Sequence, residues 1–265
     1  MGKQNDVLRR GTVLFCAVIA LVGSFIGSGA AGGTPIQEAA GGALAADATP
    51  IAPGGPAFAI WSVIYLGLIA YAIWQLLPAQ RTDARQRALG YPIAISLVLN
   101  AAWILSIQFG LLALSVPVIA LLLADLVWVF LILLRSRPKN VVEAIVADGT
   151  IGLYLGWVSI ATAANITALF FAGGFRGFGI AAGAWGVVII AVAGGVGILL
   201  AIRGRGRLTP AAALCWGIAW VAVARLTGDL RSTPTAVAAI IAVVVVVVVT
   251  VAIRVRSGRS ARSLA

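Results

Sequence analysis

Long apolar runs separated by short polar or basic segments divide the chain into eight predicted membrane-spanning helices. Each run has about 20 residues, the length that a helix needs to cross the hydrocarbon of a bilayer. A turn around Ser115 and Pro117 separates the third run from the fourth. The runs cover residues 12–32, 57–77, about 90–112, a fourth ending at 134, about 148–172, 180–202, 210–226 and about 234–253. The pattern predicts an all-α fold, a polytopic membrane helix bundle.

The fifth run carries an unusual helical face. At 100° per residue, Tyr154, Trp157, Ala161 and Asn165 form one stripe about 80° wide. Buried indoles and amides in a bilayer need partners, so we expect the stripe to face other helices or a ligand cavity.

Polar and aromatic side chains also mark the neighbouring runs. The third contains Asn100 near the middle of the membrane, followed by Trp103, and the fourth contains Asp125. Asp125 is the one carboxylate at the centre of any run, which makes it a functional candidate. A paired or protonated structural role for Asp125, and interhelical hydrogen bonding for Asn100, are the alternatives.

Charge predicts how the chain sits in the membrane. Of 265 residues, 62% are hydrophobic and 10% are charged, and the net charge is +11. With eight spans, 16 of the 19 basic residues fall on one side, which predicts two cytoplasmic termini and no nucleic-acid partner. We expect the membrane to be a bacterial cytoplasmic membrane. The 16 are Lys3, Arg9, Arg10, Arg81, Arg85, Arg87, Arg135, Arg137, Lys139, Arg203, Arg205, Arg207, Arg254, Arg256, Arg259 and Arg262. A cleaved signal peptide is an alternative interpretation of the first run.

The chemistry available to the chain is narrow. There is no histidine, and the two cysteines, Cys16 and Cys215, each lie inside an apolar run. These residues predict no metal site, no cofactor and no catalytic residue, so we expect a protein that is not an enzyme.

A long connection joins the first two spans. Residues 33–56 are rich in Gly, Ala and Pro and contain no Lys or Arg. Loops of this length often cover binding sites, although a flexible linker is the alternative.

Three segments resemble one known family. Residues 53–65 (PGGPAFAIWSVIY), 99–103 (LNAAW) and 154–165 (YLGWVSIATAAN) are similar to the second, third and fifth helices of the TspO/MBR family, the tryptophan-rich sensory proteins related to the translocator protein. The resemblance implies a TspO-like bundle of five helices over residues 1–177, often dimeric, with a pocket beneath the loop between helices 1 and 2. Residues 178–265 would then form a three-helix extension with a basic cytoplasmic tail.

The resemblance also implies a function. Family members bind tetrapyrroles such as protoporphyrin, so we expect an integral membrane sensor or carrier for a flat, hydrophobic, porphyrin-like ligand. The resemblance also implies a homodimer in the bilayer. The residues that the resemblance places at the pocket, together with the carboxylate of the fourth span, are Trp61, Tyr65, Asn100, Trp103, Asp125, Trp157, Ala161 and Asn165. A proton- or ion-coupled small-molecule transporter that uses Asp125 is the alternative function, and a porphyrin-degrading enzyme is the third.

Overall fold

Eight helices in the structure are long and apolar enough to cross a membrane, which confirms the predicted all-helical polytopic fold. The structure is a computed structural model that describes residues 2–262, with side chains described for residues 5–257. Lys3, Arg259 and Arg262 therefore have side chains outside the described residues. The helices are α1 (Gly2–Gly27), α2 (Ile60–Trp74), α3 (Ala84–Gln108), α4 (Leu112–Arg135), α5 (Thr150–Ala172), α6 (Ala182–Arg203), α7 (Leu208–Thr227) and α8 (Thr233–Arg262).

Short helical pieces complete the connections. One turn, Ala39–Gly42, and a 3₁₀ segment, Gly55–Ala59, lie between α1 and α2. Before α5, a helical turn at Val141–Glu143 continues into a π-helical stretch, Ala144–Gly149. The fifth span is thus one continuous helical segment from Val141 to Ala172.

Helix α3 begins about six residues before its apolar run. Arg85 and Arg87 precede the third apolar run, which begins at about residue 90, but both belong to the first turn of α3. Asp83 caps that helix by accepting a hydrogen bond from the Gln86 N–H at 2.9 Å. Arg87 can lie on the helix because it pairs with Asp6, a residue of α1. Hydropathy alone does not detect a charged turn that is capped and paired.

The turn between α3 and α4 was also predicted at the wrong place. It lies at residues 109–111, where Gly110 adopts a φ of +73°. Ser115 and Pro117 lie inside α4 instead. Ser115 is compatible with a helix because its hydroxyl donates to the Leu112 carbonyl at 2.6 Å.

The chain packs into two compact units. Unit 1 comprises Met1–Ala40 and Trp61–Ile151, and unit 2 comprises Gly41–Ile60 and Gly152–Ala265. In unit 1, α1 packs against α3 and α3 against α4. A Cβ on Gly23 would lie 2.9 Å from Ala101 Cβ, and one on Gly27 would lie 2.7 Å from Ile104 Cγ1. This Gly23–Gly27 pair therefore permits the close helix approach expected of a GxxxG sequence.

Unit 2 is built around α7 and α8. Helix α8 packs against both α6 and α7. A Cβ on Gly197 of α6 would lie 2.6 Å from Leu214 of α7 and 2.7 Å from Val246 of α8. Glycine thus allows three helices to meet closely there. The predicted domain boundary after residue 177 stays a prediction.

Buried polar groups are gathered at the basic end of unit 1. The Arg85 guanidinium donates to Glu143 Oε1 at 2.8 Å and to both oxygens of Asp148 at 2.8 and 2.9 Å. Gln86 donates to the same Glu143 oxygen at 3.0 Å and accepts from the Tyr71 hydroxyl at 3.0 Å. These bonds connect α3 with α2 and with the turn and π-helix that precede α5.

We expect Arg85→Met to destabilise the protein by about 3–5 kcal/mol, because the substitution leaves two buried carboxylates without a cation. Arg135→Met is the matched control, since Arg135 is exposed and forms no ion pair among the described residues. Its effect should be within about 0.5 kcal/mol. Reversible unfolding in detergent measures both, and equal stabilities of the two variants would contradict a structural role for the Arg85 pairs.

Candidate functional site

Four of the predicted pocket residues form a cluster in unit 1. The rings of Trp61 and Tyr65, one turn apart on α2, stack with centroids 5.5 Å apart and planes 30° apart. The Trp103 ring of α3 lies 6.1 Å from Trp61 at an angle of 31°. Asn100 lies on α3 one turn before Trp103. We call Trp61, Tyr65, Asn100 and Trp103 the aromatic–amide cluster.

The Asn100 amide is fully buried and only partly satisfied. Its Nδ2 donates to the Tyr65 hydroxyl at 2.6 Å, which fixes the orientation of the amide. Its Oδ1 is buried and has no hydrogen-bond partner among the described residues. A buried acceptor without a partner costs free energy, so this oxygen is a candidate acceptor for a ligand donor.

The stripe on α5 is buried, as predicted, and all four of its residues belong to unit 2. Tyr154, Trp157 and Asn165 have exposed fractions of 0%, 2% and 1%, and Ala161 is partly buried. The Trp157 ring meets the ring of Phe58 edge to face, with centroids 5.9 Å apart. That Trp157, Ala161 and Asn165 contact a ligand stays a prediction.

Asp125 is buried on α4 of unit 1. The residue is 8% exposed, and its Oδ2 has no hydrogen-bond partner among the described residues. No hydrogen bond or ion pair connects Asp125 to the aromatic–amide cluster within the described part of the chain. Its place in the same site as Asn100 therefore also stays a prediction.

The end of the long connection is held by α7. The Gly54 N–H donates to the Trp220 carbonyl at 3.1 Å, and the Trp216 indole donates to the Ala57 carbonyl at 2.9 Å. A Cβ on Gly54 would lie 3.2 Å from the Trp220 ring. Residues 41–60 are thus a packed part of unit 2, rather than a linker.

Arg225 strengthens this attachment. Its guanidinium, 1% exposed, donates to the Thr49 carbonyl at 3.0 Å and to the Ala46 carbonyl. Both carbonyls lie more than 170 positions earlier in the chain, so no residue spacing reveals them as partners of Arg225.

Unit 2 also contains an apolar cavity that sequence reasoning missed. The cavity has a volume of about 630 Å³ and lies between α5 and α6, with the connection between them closing one side. Its aromatic lining residues are Phe170, Phe171, Phe175, Phe178 and Trp185.

A family model described as TSPO-like protein matches residues 13–253. The chain belongs to this TSPO-like family. The match confirms the resemblance carried by the three aromatic segments, and it reaches into all eight spans, so α6, α7 and α8 lie within the matched region. No curated protein and no solved structure matches the chain.

We expect Arg225→Leu to loosen residues 44–57 of this TSPO-like protein, because two charge-assisted hydrogen bonds to the connection are lost. Amide hydrogen exchange in that segment should accelerate on the order of 10-fold or more. Arg231→Leu removes an exposed cation six residues away and should leave exchange unchanged. Equal protection of residues 44–57 in both variants would show that Arg225 does not hold the segment.

Proposed function

We propose that this TSPO-like protein is a sensor or carrier that binds a flat hydrophobic ligand, a porphyrin or related tetrapyrrole, at the aromatic–amide cluster. The observation that carries the proposal is the unpartnered Oδ1 of Asn100, fully buried in a membrane protein and adjacent to three aromatic side chains. Membership of the TSPO-like family supports ligand binding in general.

The chemistry of the cluster suits such a ligand. Indole and phenol rings offer flat apolar area, and offset stacking adds to the free energy of burying it. The Asn100 oxygen would accept a hydrogen bond from an N–H or O–H group of the ligand. Such a bond is stronger where water is excluded. A few directed polar groups on an apolar wall are typical of small-molecule sites.

Binding fits this chain better than catalysis. The chain has no histidine, and the cluster offers one phenol, one amide and two indoles, none of which is a general base near neutral pH. The protein is integral to the membrane by its eight apolar helices. We infer further that both termini are cytoplasmic, from the distribution of basic residues, and that the protein is a homodimer, from the resemblance.

Protoporphyrin should quench the tryptophan fluorescence of the purified protein saturably. Trp61→Leu and Asn100→Leu should each weaken binding about 5- to 10-fold, through lost stacking and a lost hydrogen bond. Trp128→Leu removes an indole that is 52% exposed on α4 and serves as the control, with an unchanged dissociation constant. Thermal unfolding checks that each variant is folded. Equal affinity in all three variants would exclude the cluster as the binding site.

Coupled transport through Asp125 is a second candidate, favoured by the buried Oδ2 without a partner. A buried carboxyl group without a hydrogen-bond partner inside a membrane is typical of proton or ion pathways. Asp125→Asn keeps the shape of the side chain and removes its proton exchange. If Asp125 couples transport, uptake of the transported solute driven by a pH gradient falls in proteoliposomes of the variant to the level of empty vesicles. Uptake equal to that of wild type rejects coupled transport through Asp125.

A further inference from the structure

A groove with one charged end and one apolar end lies on unit 1, at its basic end. The groove has a volume of about 630 Å³ and runs along the last two turns of α4 and the first turn of α3. Its charged end is formed by Asp83, Arg85, Arg135, Arg137 and Lys139, with Ala84 between the first two, and its other end by Ala88, Trp128 and Ile132.

Two cations at the charged end have no partner. Arg135 and Arg137 are exposed, and neither forms a hydrogen bond or ion pair through its side chain within the described part of the chain. Arg85, by contrast, is held by the carboxylates of Glu143 and Asp148. The free positive charge of the groove is therefore concentrated on Arg135 and Arg137.

The Lys139 ammonium is already paired with Asp83. Burial disfavours the ionised Asp83 carboxyl, but hydrogen bonds from Lys139 and from the Gln86 N–H outweigh burial and lower its pKa. The pair therefore stays ionised at neutral pH, and Asp83 is not free to neutralise the two arginines.

The apolar end lies against the part of α4 that is apolar enough to cross a membrane. Trp128 precedes Arg135 by seven residues on α4, which places the two side chains about 10 Å apart along the helix axis. The Trp128 indole is 52% exposed, and Ile132 lies between it and the arginines. A ligand that fills the groove must be anionic at one end and apolar over the following 10 Å.

We propose that this groove binds one anionic phospholipid of the surrounding bilayer. The headgroup phosphate accepts hydrogen bonds from the Arg135 and Arg137 guanidinium groups, which match its geometry and charge. The glycerol region and the upper acyl chain lie against Ile132 and the Trp128 ring. Basic grooves at helix ends that open toward lipid are typical of headgroup sites.

A free phosphate or a soluble phosphate ester fits the groove less well. Either would leave Trp128 and Ile132 uncovered, whereas a lipid covers both ends at once. The source is therefore the membrane, and the groove is independent of the aromatic–amide cluster and of the ligand proposed for it.

Native mass spectrometry of detergent-purified protein, titrated with phosphatidylglycerol or phosphatidylcholine, tests this site. Wild type should retain one phosphatidylglycerol in preference to phosphatidylcholine. The double substitution Arg135→Gln and Arg137→Gln should weaken that retention about 30-fold. Arg203→Gln with Arg254→Gln removes the same charge from two exposed positions of unit 2 and should leave retention unchanged. Equal losses in both double variants would reveal general electrostatic attraction and overturn the site.

Two further measurements test whether the ligand is a membrane lipid and where its acyl chain lies. Millimolar inorganic phosphate should not displace the retained lipid, and displacement would make the groove a soluble-anion site. In vesicles, phosphatidylglycerol with brominated acyl chains should quench the tryptophan fluorescence of wild type more than that of Trp128→Phe. When Arg135→Gln and Arg137→Gln are also present, this difference in quenching should vanish. A difference that persists would mean that Trp128 meets only bulk lipid.

Discussion

Hydrocarbon cannot hydrogen-bond, so each polar side chain inside the spans must find its partner within the protein. At the basic end of unit 1 this requirement is met by the bonds that join Arg85, Gln86, Glu143 and Asp148. These bonds connect α3 with the segment that leads into α5. They explain why the helical segments extend beyond their apolar runs into turns that contain charged residues. Against that background, the bare Oδ1 of Asn100 is an exception, and a bound ligand is a physical reason for it.

The seventh span gives the C-terminal region a structural role within unit 2. Trp216, Trp220 and Arg225 of α7 bind the backbone of residues 46–57, which precede α2. The Gly- and Pro-rich composition of that segment suits this arrangement, because Gly54 lets the backbone approach the Trp220 ring closely. The family match across all eight spans agrees with a region that is part of the same functional protein.

Hydropathy predicted the eight spans because the bilayer imposes their length and apolar character. Helical periodicity predicted that Tyr154, Trp157 and Asn165 are buried, since a polar stripe cannot face lipid. Helix ends were less predictable. The first turn of α3 depends on a cap and on distant carboxylates, and the turn at Gly110 depends on a positive φ. The contacts of Arg225 are with backbone carbonyls, whose positions follow from the fold and leave no mark in the sequence.

Fluorine NMR tests the central claim most directly, because it reports on each indole separately. The protein would carry 5-fluorotryptophan, with the eight resonances assigned by single Trp→Phe variants. On addition of protoporphyrin, the resonances of Trp61 and Trp103 should shift saturably with one common dissociation constant, while that of Trp128 stays in place. Saturable shifts confined to tryptophans outside the aromatic–amide cluster would contradict the account.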